Sequence, residues 1–589
     1  MSDSMDNYIQ VGIDIGTTKC CICVVGQDGI PTVLEVDMTK LDHKELLPSY
    51  VSFIPNQVIV GEAVKKMTQT SNVLYDPKRL LGLSLEEIPE DEKKSFTFDI
   101  DEINNRIVYM VENGNKNNEP EPFRPEEVTA FLVQTLFAKL EEIPEYRNKK
   151  KKYVVTHPVS FNENQINYAE MVMHLVGITT FKFLPEPIAA LLSMKTMMSE
   201  IKVNEKVLVL DVGGGTLDVT ICSLKKSGYF ECEACNGDFN VGGNAVDRAV
   251  SELIIAKTAN IEDYSTYFSE PKRALITEKI AYQKKKARLR VESERVKILL
   301  SSNEVVEVNL SFLFDSTVGY VMEISRAEMN EKCSDLFAKY VRCIKQTLIE
   351  NNVNSRGIKK VIMTGGASEM IALQDQAKLI FKEAAVFVVD TPELAVVKGA
   401  SMYHKGDIQN VINHSDEDIR VEIGSKCEVI VSKTDLLPAE GTKRVATVVD
   451  GQKKAVFKIY KGDNSQADFN TFVGEFVFDN IPIQKAGDVV FVLKIGVDTV
   501  GNIEAEAHMI NGRTERIKAT VSFEKNKEDF IFTKRHFDYK AYNWISAHPE
   551  EKRPSSVSSR FCWILIFVLL NSLLVMYLIG VGQNRVFAS

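Results

Sequence analysis

Two short stretches of this sequence place glycines, threonines and an aspartate between apolar runs. VGIDIGTTK covers residues 11–19, and LDVGGGTLD covers residues 210–218. Glycine lets bare backbone N–H groups approach an anionic oxygen closely, and it adopts positive φ at little cost. A threonine hydroxyl adds a further donor. The composition of both turns therefore predicts that they cradle phosphate oxygens.

The aspartates in these stretches, Asp14 and Asp211, point to a metal ion. A carboxylate repels phosphate by itself, and it becomes useful when Mg²⁺ lies between the two, held through water. One glycine-rich hairpin alone is equally well explained as an ordinary turn. Two copies with matched aspartate and threonine, about 200 residues apart, predict two similar lobes that face each other across a polyphosphate. The turns are not Walker loops, since no G-x-x-x-x-G-K-[ST] pattern occurs.

A third glycine site follows an apolar run in KKVIMTGGASEM, residues 359–370. The pattern predicts a buried strand that ends at Gly365 and Gly366 before a helix begins. Such a turn lets a flat ligand, or its sugar, lie against the backbone. It carries weight only beside the two phosphate turns, because a glycine pair after a strand is common.

Length and composition limit the classes of protein. A chain of 589 residues is expected to hold two or more domains, and its net charge of −10 argues against general nucleic-acid binding. Two basic runs, residues 147–152 and 284–290, are interpreted as a solvated loop and part of a helix. The C-x-x-C pair, Cys232 and Cys235, falls in a predicted strand, where its side chains point to opposite faces. We therefore expect free thiols rather than a metal or redox site.

Alternating strand-like and helix-like segments from residue 8 to about residue 406 predict α/β layers. The predicted helices include residues 124–142 and 335–350. From about residue 418, short alternating strands separated by Gly, Asp, Asn and Pro predict a compact β domain. The predicted units are an α/β domain at 1–405, a linker at 406–418, the β domain at 419–525, a stalk at 526–560, a membrane span at 561–582 and a tail at 583–589.

The stretch FCWILIFVLLNSLLVMYLIGVG, residues 561–582, carries no charge. About 20 helical residues cross a hydrocarbon core of roughly 30 Å, so we expect a single transmembrane helix. Lys552, Arg553 and Arg560 precede it and only Arg585 follows, which by the positive-inside rule leaves the body in the cytosol. The acidic, polar N-terminus has no secretory signal. The sequence thus predicts a tail-anchored protein of the endoplasmic reticulum or another organelle surface.

In its motifs the chain resembles the seventy-kilodalton heat-shock chaperone (Hsp70) family. The matching stretches keep the family order across residues 8–405: VGIDIGTTK, LYDPKRLLG, VVTHPVSFNENQ, FLPEPIAALL, LVLDVGGGTLDVTI, GDFNVGGNAVD, ERVKILLSS and VIMTGGASEM. The β domain resembles the family's peptide-binding sandwich more loosely. The resemblance implies an α/β actin-like (ribonuclease H-like), two-lobed ATPase domain, followed here by a β-sandwich and the C-terminal transmembrane helix.

The resemblance also implies a role for each matching residue. The catalytic group would be Lys78, which would orient the attacking water, with Glu186, Asp211 and Thr216. The residues that organise Mg²⁺ and its waters would be Asp14, Asp211 and Asp218, and K⁺ is a further candidate ion. The residues that hold the phosphates of ATP would be Gly16, Thr17, Thr18, Gly213, Gly214, Gly215 and Thr216. The residues that contact the adenosine would be Glu294, Lys297, Ser301, Gly365 and Gly366. Catalysis would rest on positioning and electrostatics, without a covalent intermediate.

Several positions depart from the family pattern. Ile298 and Glu369 stand where the family has arginines at the adenine, and Val445 stands at a phenylalanine of the peptide pocket. GGNAVD replaces the family's acidic GGEDFD, DIQNVINHSD replaces the apolar interdomain linker, and the large helical lid is absent. A guanidinium stacked on a base contributes on the order of 1 kcal/mol. We therefore expect weaker adenine binding and weaker coupling between the domains.

These features together predict an ATP-dependent chaperone that binds unfolded or nascent polypeptides at the cytosolic face of a membrane and hydrolyses ATP slowly. The resemblance implies J-domain co-chaperones and nucleotide-exchange factors as partners, and the negative charge argues against nucleic acid. The alternative is a membrane-anchored adaptor or co-chaperone module that binds ATP with little or no hydrolysis. A sugar kinase on the same fold is disfavoured by the order of the motifs and by the β domain.

Overall fold

The computed structural model describes residues 8–403 and 418–519, apart from short gaps, together with Thr533 and Phe537. The gaps are residues 27, 41, 55–56, 68–71, 112–119, 195–200, 227–229, 262–263, 272–275, 316–320, 425, 433–434, 436–438, 463, 468–469, 480, 498–502 and 511–513. The predicted membrane span and tail lie outside the described residues, as do most of the predicted linker and stalk. Within the described part of the chain, no helix is both long enough and apolar enough to cross a bilayer.

A six-stranded sheet forms the centre of the first lobe. Its strands run in the order Phe181–Pro185, Lys150–His157, Tyr8–Ile15, Lys19–Val25 and Pro31–Val33, with Leu47–Pro48 also paired to Lys19–Val25. The middle strand, Tyr8–Ile15, pairs antiparallel with Lys19–Val25 and parallel with Lys150–His157. Its apolar side chains, among them Val11 and Ile13, are fully buried, so this strand is held on both edges and both faces.

A five-stranded sheet in the second lobe repeats this arrangement. Its order is Phe230–Asp238, Leu217–Leu224, Lys206–Val212, Ile358–Thr364 and Ala385–Val388. The middle strand again has an antiparallel hairpin partner on one side and a parallel strand on the other. Asp14 and Asp211 therefore occupy equivalent places near the ends of the two middle strands, which agrees with the pair of similar lobes predicted from the repeat.

Smaller sheets and helices surround the two central sheets. The remaining strands of this part are Tyr50–Ile54, Gln57–Val60, Val73–Tyr75, Asp99–Glu102, Ile107–Val111, Glu121–Phe123, Val305–Val308 and Met322–Ser325. The helices are Glu62–Lys65, Glu90–Ser95, Pro125–Glu142, Pro144–Arg147, Glu163–Leu175, Glu186–Ser193, Gly243–Thr258, Ile276–Leu300, Leu310–Phe314, Arg326–Lys332, Ser334–Glu350, Ile371–Ile380 and Ala395–Met402. Short 3₁₀ turns cover Pro77–Leu80, Leu85–Glu87, Ser355–Gly357 and Gly366–Glu369.

Two helices, Glu186–Ser193 and Ala395–Met402, pack against each other and join the two lobes. A Cβ added at Gly399 would lie 1.6 Å from the Ala189 carbonyl oxygen, so only glycine permits this approach. The apolar cluster around the helices includes Val154 from the first sheet and Val209 from the second. One shared core thus fixes the positions of both middle strands relative to the same pair of helices.

The β domain consists of two four-stranded antiparallel sheets that share a core. One sheet has the order Lys426–Val431, Ile419–Ile423, Lys454–Lys461 and Thr471–Asp479, and the other has the order Ala439–Ala446, Val490–Val497, Ile503–Met509 and Thr514–Ala519. Phe457 and Phe476 from the first sheet and Phe491 from the second are buried in that core. Val445 packs at its margin. The alternating strand pattern predicts a compact β domain, and the sandwich arrangement is the one that the family resemblance implies.

The predicted helices at 124–142 and 335–350 are confirmed as Pro125–Glu142 and Ser334–Glu350. The predicted loop at residues 147–152 is wrong in part, because a strand begins at Lys150. Lys150 pairs in register with Tyr8, and the ammonium groups of Lys150 and Lys152 lie 5.2 and 4.9 Å from the Tyr8 ring centroid. The basic run has the composition of a solvated loop. It is nevertheless held in place by pairing with the parallel strand and by this cation–π contact.

The strand predicted around the C-x-x-C pair is confirmed, since Cys232 and Cys235 lie in the strand Phe230–Asp238. None of the nine cysteines that the structure describes forms a disulfide. Cys232 is buried with its sulfur 3.4 Å from that of Cys222 on the neighbouring strand, whereas Cys235 is half-buried. Burial raises the pKa of the Cys235 thiol to about 12, so this C-x-x-C pair does not present reactive thiolates.

Phe537, which follows the β domain in sequence, is buried in the first lobe. Its ring lies 4.8 Å from that of Phe131 on helix Pro125–Glu142, and 1% of the residue is exposed. Phe53 and Phe123 complete an aromatic cluster around Phe131. The chain beyond the sandwich therefore contributes a side chain to the core of the first lobe.

We predict that Phe537→Ala loosens helix Pro125–Glu142. Truncation of a fully buried phenylalanine costs about 3–5 kcal/mol through lost burial and the cavity that remains. Hydrogen–deuterium exchange of this helix in the full chain should become faster, whereas Phe472→Ala, which removes a half-exposed ring in the β domain, should leave it unchanged. Equal protection in wild type and Phe537→Ala would show that the ring does not support the lobe.

Candidate functional site

The first glycine turn joins the strands Tyr8–Ile15 and Lys19–Val25. A Cβ added at Gly16 would lie 2.1 Å from the Lys19 carbonyl oxygen, so the tight hairpin requires glycine there. The Ser49 hydroxyl donates to the Gly16 carbonyl at 3.0 Å. Thr17 and Thr18 follow at the tip of the turn, ahead of the second strand.

The second glycine turn joins Lys206–Val212 to Leu217–Leu224 and rests on a helix. The Gly213 N–H donates to the Thr216 carbonyl at 2.9 Å, which closes the turn. Backbone N–H groups at the start of helix Gly243–Thr258 donate to the Gly213 and Gly214 carbonyls at 3.0 and 2.7 Å. The carbonyls of the turn thus point to the helix, which leaves other backbone groups of the turn for a ligand.

The two turns face each other at contact distance. A Cβ added at Gly214 would lie 2.4 Å from Cγ2 of Thr18, and one added at Gly215 would lie 2.8 Å from Oγ1 of Thr17. Any side chain at these glycines would fill the space between the lobes. The glycine–threonine turns therefore form opposite walls of one cleft, as their sequence repeat predicts.

Four carboxylates surround one lysine at the base of this cleft. Lys78 is buried, with its Nζ 2.5 Å from Oε1 of Glu186. The other three carboxylates, Asp14, Asp211 and Asp218, come from the two hairpins and interact electrostatically with Lys78. One ammonium cannot neutralise four carboxylates, so the cleft has excess negative charge that a bound cation would balance.

The excess charge shifts the ionisation of the cluster. Burial raises the pKa of Glu186 to about 8 and that of Asp218 to about 6 against the opposing effect of Lys78. Burial and the neighbouring carboxylates hold the pKa of Asp211 well above its usual range. Burial disfavours the charge on Lys78, yet Glu186 and Asp14 raise its pKa above the ordinary value. Lys78 is therefore a fixed cation, while the carboxylates need a partner ion to be fully charged.

Neutral donors hold the carboxylates in place. The Thr156 hydroxyl donates to Oδ1 of Asp14 at 2.8 Å, and the Ser160 N–H donates to Oδ1 of Asp218 at 3.2 Å. Thr216 Oγ1 lies 3.4 Å from Oδ2 of Asp218. In the part of the chain that the structure describes, no group of three or more His, Cys, Asp or Glu side chains is arranged to hold a metal by itself.

The residues predicted to contact the adenosine lie on the second lobe, and two of them form ion pairs. Glu294 forms an ion pair with Lys65 at 2.7 Å, and Lys297 forms one with Asp247 at 2.9 Å. Ser301 is half-buried just past the end of the same helix, Ile276–Leu300.

The glycine pair after strand Ile358–Thr364 lies against the end of the strand that leads into the second glycine turn. Gly365 has φ +80°, and a Cβ there would lie 2.5 Å from Oδ1 of Asp211. A Cβ at Gly366 would lie 2.8 Å from Oε1 of Glu393, which pairs with Lys19 of the first lobe. The third glycine site thus borders the same cleft as the two hairpins.

Sequence reasoning missed several residues that shape the site. No sequence motif assigns a role to Thr156 or Ser160. The available signal is that VVTHP ends a strand that runs parallel to the strand of Asp14, so residues at its end meet the same sheet edge. The cross-lobe pairs Lys65–Glu294 and Lys19–Glu393 were also missed. No local pattern marks them, because their partners are hundreds of residues apart in sequence.

Comparison with known proteins identifies the family. The model of the family described as "Hsp70 protein" matches residues 10–537. This chain belongs to the Hsp70 family. As a member it is an ATP-hydrolysing chaperone, with an actin-like two-lobed ATPase followed by a β-sandwich. The family acts on unfolded polypeptides together with J-domain and nucleotide-exchange co-chaperones.

Individual relatives show that this Hsp70 is divergent. A heat shock cognate HSP70 protein of Trypanosoma brucei brucei is 28% identical over 514 residues, which are 84% of this chain and 72% of that protein. The chaperone protein dnaK of Cyanidium caldarium is 26% identical over 88% of this chain and 81% of its own length. Heat shock cognate 70 kDa protein 3 of Dictyostelium discoideum is 26% identical over 84% of this chain and 78% of its own length.

The two positions where the resemblance implies arginines at the adenine differ in character. Ile298 is 49% exposed on helix Ile276–Leu300, where it presents an aliphatic surface. Glu369 ends the 3₁₀ turn after the glycine pair, is exposed, and makes no hydrogen bond or ion pair to any residue that the structure describes. Neither side chain can supply the planar cation that arginine provides.

We predict that Asp211→Asn stabilises the metal-free protein increasingly as pH rises. The raised pKa of Asp211 means that its contribution to folding is fully present below about pH 4 and is lost as pH rises toward the folded-state pKa. Asparagine has no such loss, so the difference in Tm between variant and wild type in EDTA should be larger at pH 8 than at pH 5.

The matched control is Glu369→Gln, which removes an exposed carboxylate and should show no pH-dependent difference. A constant offset between Asp211→Asn and wild type across this range would contradict the charge imbalance proposed for the cleft.

Proposed function

We propose that this Hsp70 is a tail-anchored chaperone that works at the cytosolic face of an organelle membrane and hydrolyses ATP slowly. The proposed ATPase domain is residues 1–405, and the proposed peptide-binding domain is residues 419–525. The single observation that carries the catalytic part is Lys78 buried among four carboxylates beside two facing glycine turns. Positive charge, metal-binding charge and phosphate-binding backbone meet there in one cleft.

In this proposal the turns hold the triphosphate and the carboxylates hold Mg²⁺ through its water shell. Gly16, Thr17 and Thr18 contact the phosphates from one lobe, and the second turn contacts them from the other. Asp14 and Asp211 face the metal waters, with Asp218 in support. The bound metal neutralises the charge that the carboxylates carry and that the γ-phosphate gains during transfer. K⁺ remains a candidate for a further cation.

Lys78 supplies the fixed positive charge of the reaction. Its raised pKa keeps the ammonium protonated at neutral pH, so it orients the attacking water and stabilises the γ-phosphate charge without itself transferring a proton. Glu186 holds the Lys78 ammonium in place. Thr216 and Asp218 complete the wall on the second lobe. The proposed catalysis is electrostatic and needs no covalent intermediate.

Three observations support slow turnover and weak coupling. Cross-lobe ion pairs such as Lys65–Glu294 close the cleft on its adenosine side. The predicted linker, DIQNVINHSD, is polar, and only about 35 residues separate the proposed peptide domain from the predicted span. A chaperone with these features would trap unfolded chains briefly, close to the membrane that anchors it.

The second candidate is an ATP-binding adaptor with little hydrolysis. The observation that favours it is the loss of both arginines at the adenine, with exposed Ile298 and Glu369 in their places. An adaptor would bind nucleotide to set its shape, and it would show no increase in turnover with unfolded peptide or a J-domain partner.

We predict that purified full-length protein in detergent releases phosphate from ATP only with Mg²⁺, and that Lys78→Ala lowers the single-turnover rate at least about 100-fold. Loss of a preorganised charge at the transferring phosphoryl group has effects of this size. Nucleotide binding should persist, because the turns and the adenosine residues remain. An unfolded peptide together with a J-domain protein should raise the wild-type rate.

Two outcomes would count against this assignment. If Lys78→Ala and wild type hydrolyse ATP equally, the catalytic role of Lys78 is wrong. If wild type binds ATP and neither partner changes a negligible rate, the adaptor is the better description. Lys382→Ala, which removes an exposed lysine outside the glycine turns and the carboxylate cluster, is the matched control.

We predict that the body remains unglycosylated in cells. Asn309, in NLS, is exposed, and Asn413, in NHS, lies outside the described residues. A lumenal body would expose both acceptors to the glycosylation machinery. The electrophoretic mobility of the natural protein should therefore be insensitive to glycosidase. A glycosidase-sensitive mass shift, lost in Asn413→Gln or Asn309→Gln, would overturn the cytosolic orientation.

A further inference from the structure

A small gap lies beside the second glycine turn. It has a volume of about 10 Å³ and is lined by Arg79, Glu92, Gly215, Phe239, Asn240, Asn244, Ala245 and Arg248. This volume suits about one water molecule. Because Gly215 belongs to a turn proposed to hold the phosphates of ATP, the gap borders the proposed nucleotide site.

The Arg79 guanidinium closes this gap by bridging the two lobes. It donates to Oε1 and Oε2 of Glu92 at 2.9 and 2.7 Å, within the first lobe. Nη2 also donates to Oδ1 of Asn240 in the second lobe at 2.9 Å, and the guanidinium lies 5.0 Å from the Phe239 ring centroid. The bidentate pair keeps Arg79 on the first lobe, so separating the lobes here breaks its bond to Asn240. The same separation breaks the bond from Asn244 Nδ2, which also lines the gap, to Asp76 Oδ2 of the first lobe at 2.9 Å.

Arg248 gives the gap a cation that is not neutralised. It lies in the second turn of helix Gly243–Thr258, is half-buried, and makes no hydrogen bond or ion pair to any described residue. The first turn of this helix has no acidic residue, and the Gly243 and Asn244 N–H groups donate to the carbonyls of the second glycine turn. Two guanidinium groups and one carboxylate leave the lining with net positive charge.

We propose that this gap is the exit for inorganic phosphate after ATP hydrolysis, with the Arg79–Asn240 bond as its gate and Arg248 as the group that receives the departing anion. The proposal rests on the proposed nucleotide site. Hydrolysis leaves ADP on the adenosine side, where the Lys65–Glu294 pair also closes the cleft. The phosphate dianion lies beside Gly215, and the gap is the positively charged route that touches this turn.

The closed gap predicts an order of events. A phosphate ion is several times larger than one water, so it cannot pass while Arg79 is bonded to Asn240. Release should therefore lag behind bond cleavage, and it should need only a small separation of the lobes at this point. Departure of ADP needs the wider opening that breaks the adenosine-side pairs, so phosphate should leave first.

The test measures cleavage and release separately in single turnovers of the full-length protein. Acid quench of radiolabelled ATP gives the rate of cleavage, and a fluorescent phosphate-binding protein gives the rate of release. Wild type should show release after cleavage. Asn240→Ala should speed phosphate release about five- to ten-fold, the change expected for loss of one charge-assisted hydrogen bond. The rate of ATP cleavage should stay within about two-fold of wild type, which is the variation expected for a substitution at a distant, independent site.

Arg248→Gln should have the opposite effect and slow release, and Arg248→Lys should restore most of the rate because it keeps the charge. Opposite signs from two variants that line one gap would not follow from general destabilisation. Asn260→Ala, just past the end of the same helix, is the matched control and should change neither rate.

The proposal fails if wild type releases phosphate as fast as it cleaves ATP, if Asn240→Ala leaves the lag unchanged, or if both variants shift release in the same direction. These outcomes are distinct from failure of the nucleotide site itself. In that case acid quench would detect no cleavage in wild type, and no question of an exit would arise.

Discussion

The buried ion pair between Lys78 and Glu186 lies in a cluster whose charges do not balance. Asp14, Asp211 and Asp218 add three more carboxylates around the same ammonium. Burial of such a set is costly unless a cation or protons compensate, which explains why the carboxylate pKa values rise while that of Lys78 rises as well. The same imbalance that destabilises the empty cleft supports the proposal that a divalent cation binds there with the phosphates of ATP. The unbalanced charge lowers the folding stability of the empty protein, and a bound cation would restore it.

The two lobes bring these charged groups together because a few glycines allow the connecting helices and the two turns to approach each other closely. Gly399 lets one connecting helix lie against the Ala189 carbonyl of the other, and Gly214 and Gly215 let the second turn face Thr18 and Thr17. A methyl group at any of these positions would separate the elements that it joins. Close packing between the two connecting helices and between the two glycine turns therefore determines the geometry of the cleft. Ion pairs between the lobes hold the cleft closed.

The parts of this molecule that repeat locally could be predicted from sequence. Each hairpin contains its own aspartate, glycines and threonine, so both turns and the lobe pair were predictable, as were helices with clear periodicity such as Pro125–Glu142. Contacts between distant residues were not. Arg79 with Asn240, Lys65 with Glu294 and Phe537 with Phe131 join segments about 160 to 400 residues apart. The start of a strand at Lys150 could not be predicted for the same reason, since this part of the chain is ordered by pairing with the distant residue Tyr8.

The most direct test of the account is the structure of the full-length protein with Mg²⁺, ADP and aluminium fluoride, which mimics the phosphoryl group in transfer. We expect the phosphates between the two glycine turns, the metal on the side of Asp14 and Asp211, and the fluoride within reach of Lys78. Nucleotide bound away from this cleft, or a metal with no relation to the four carboxylates, would contradict the claim that their excess charge creates the site.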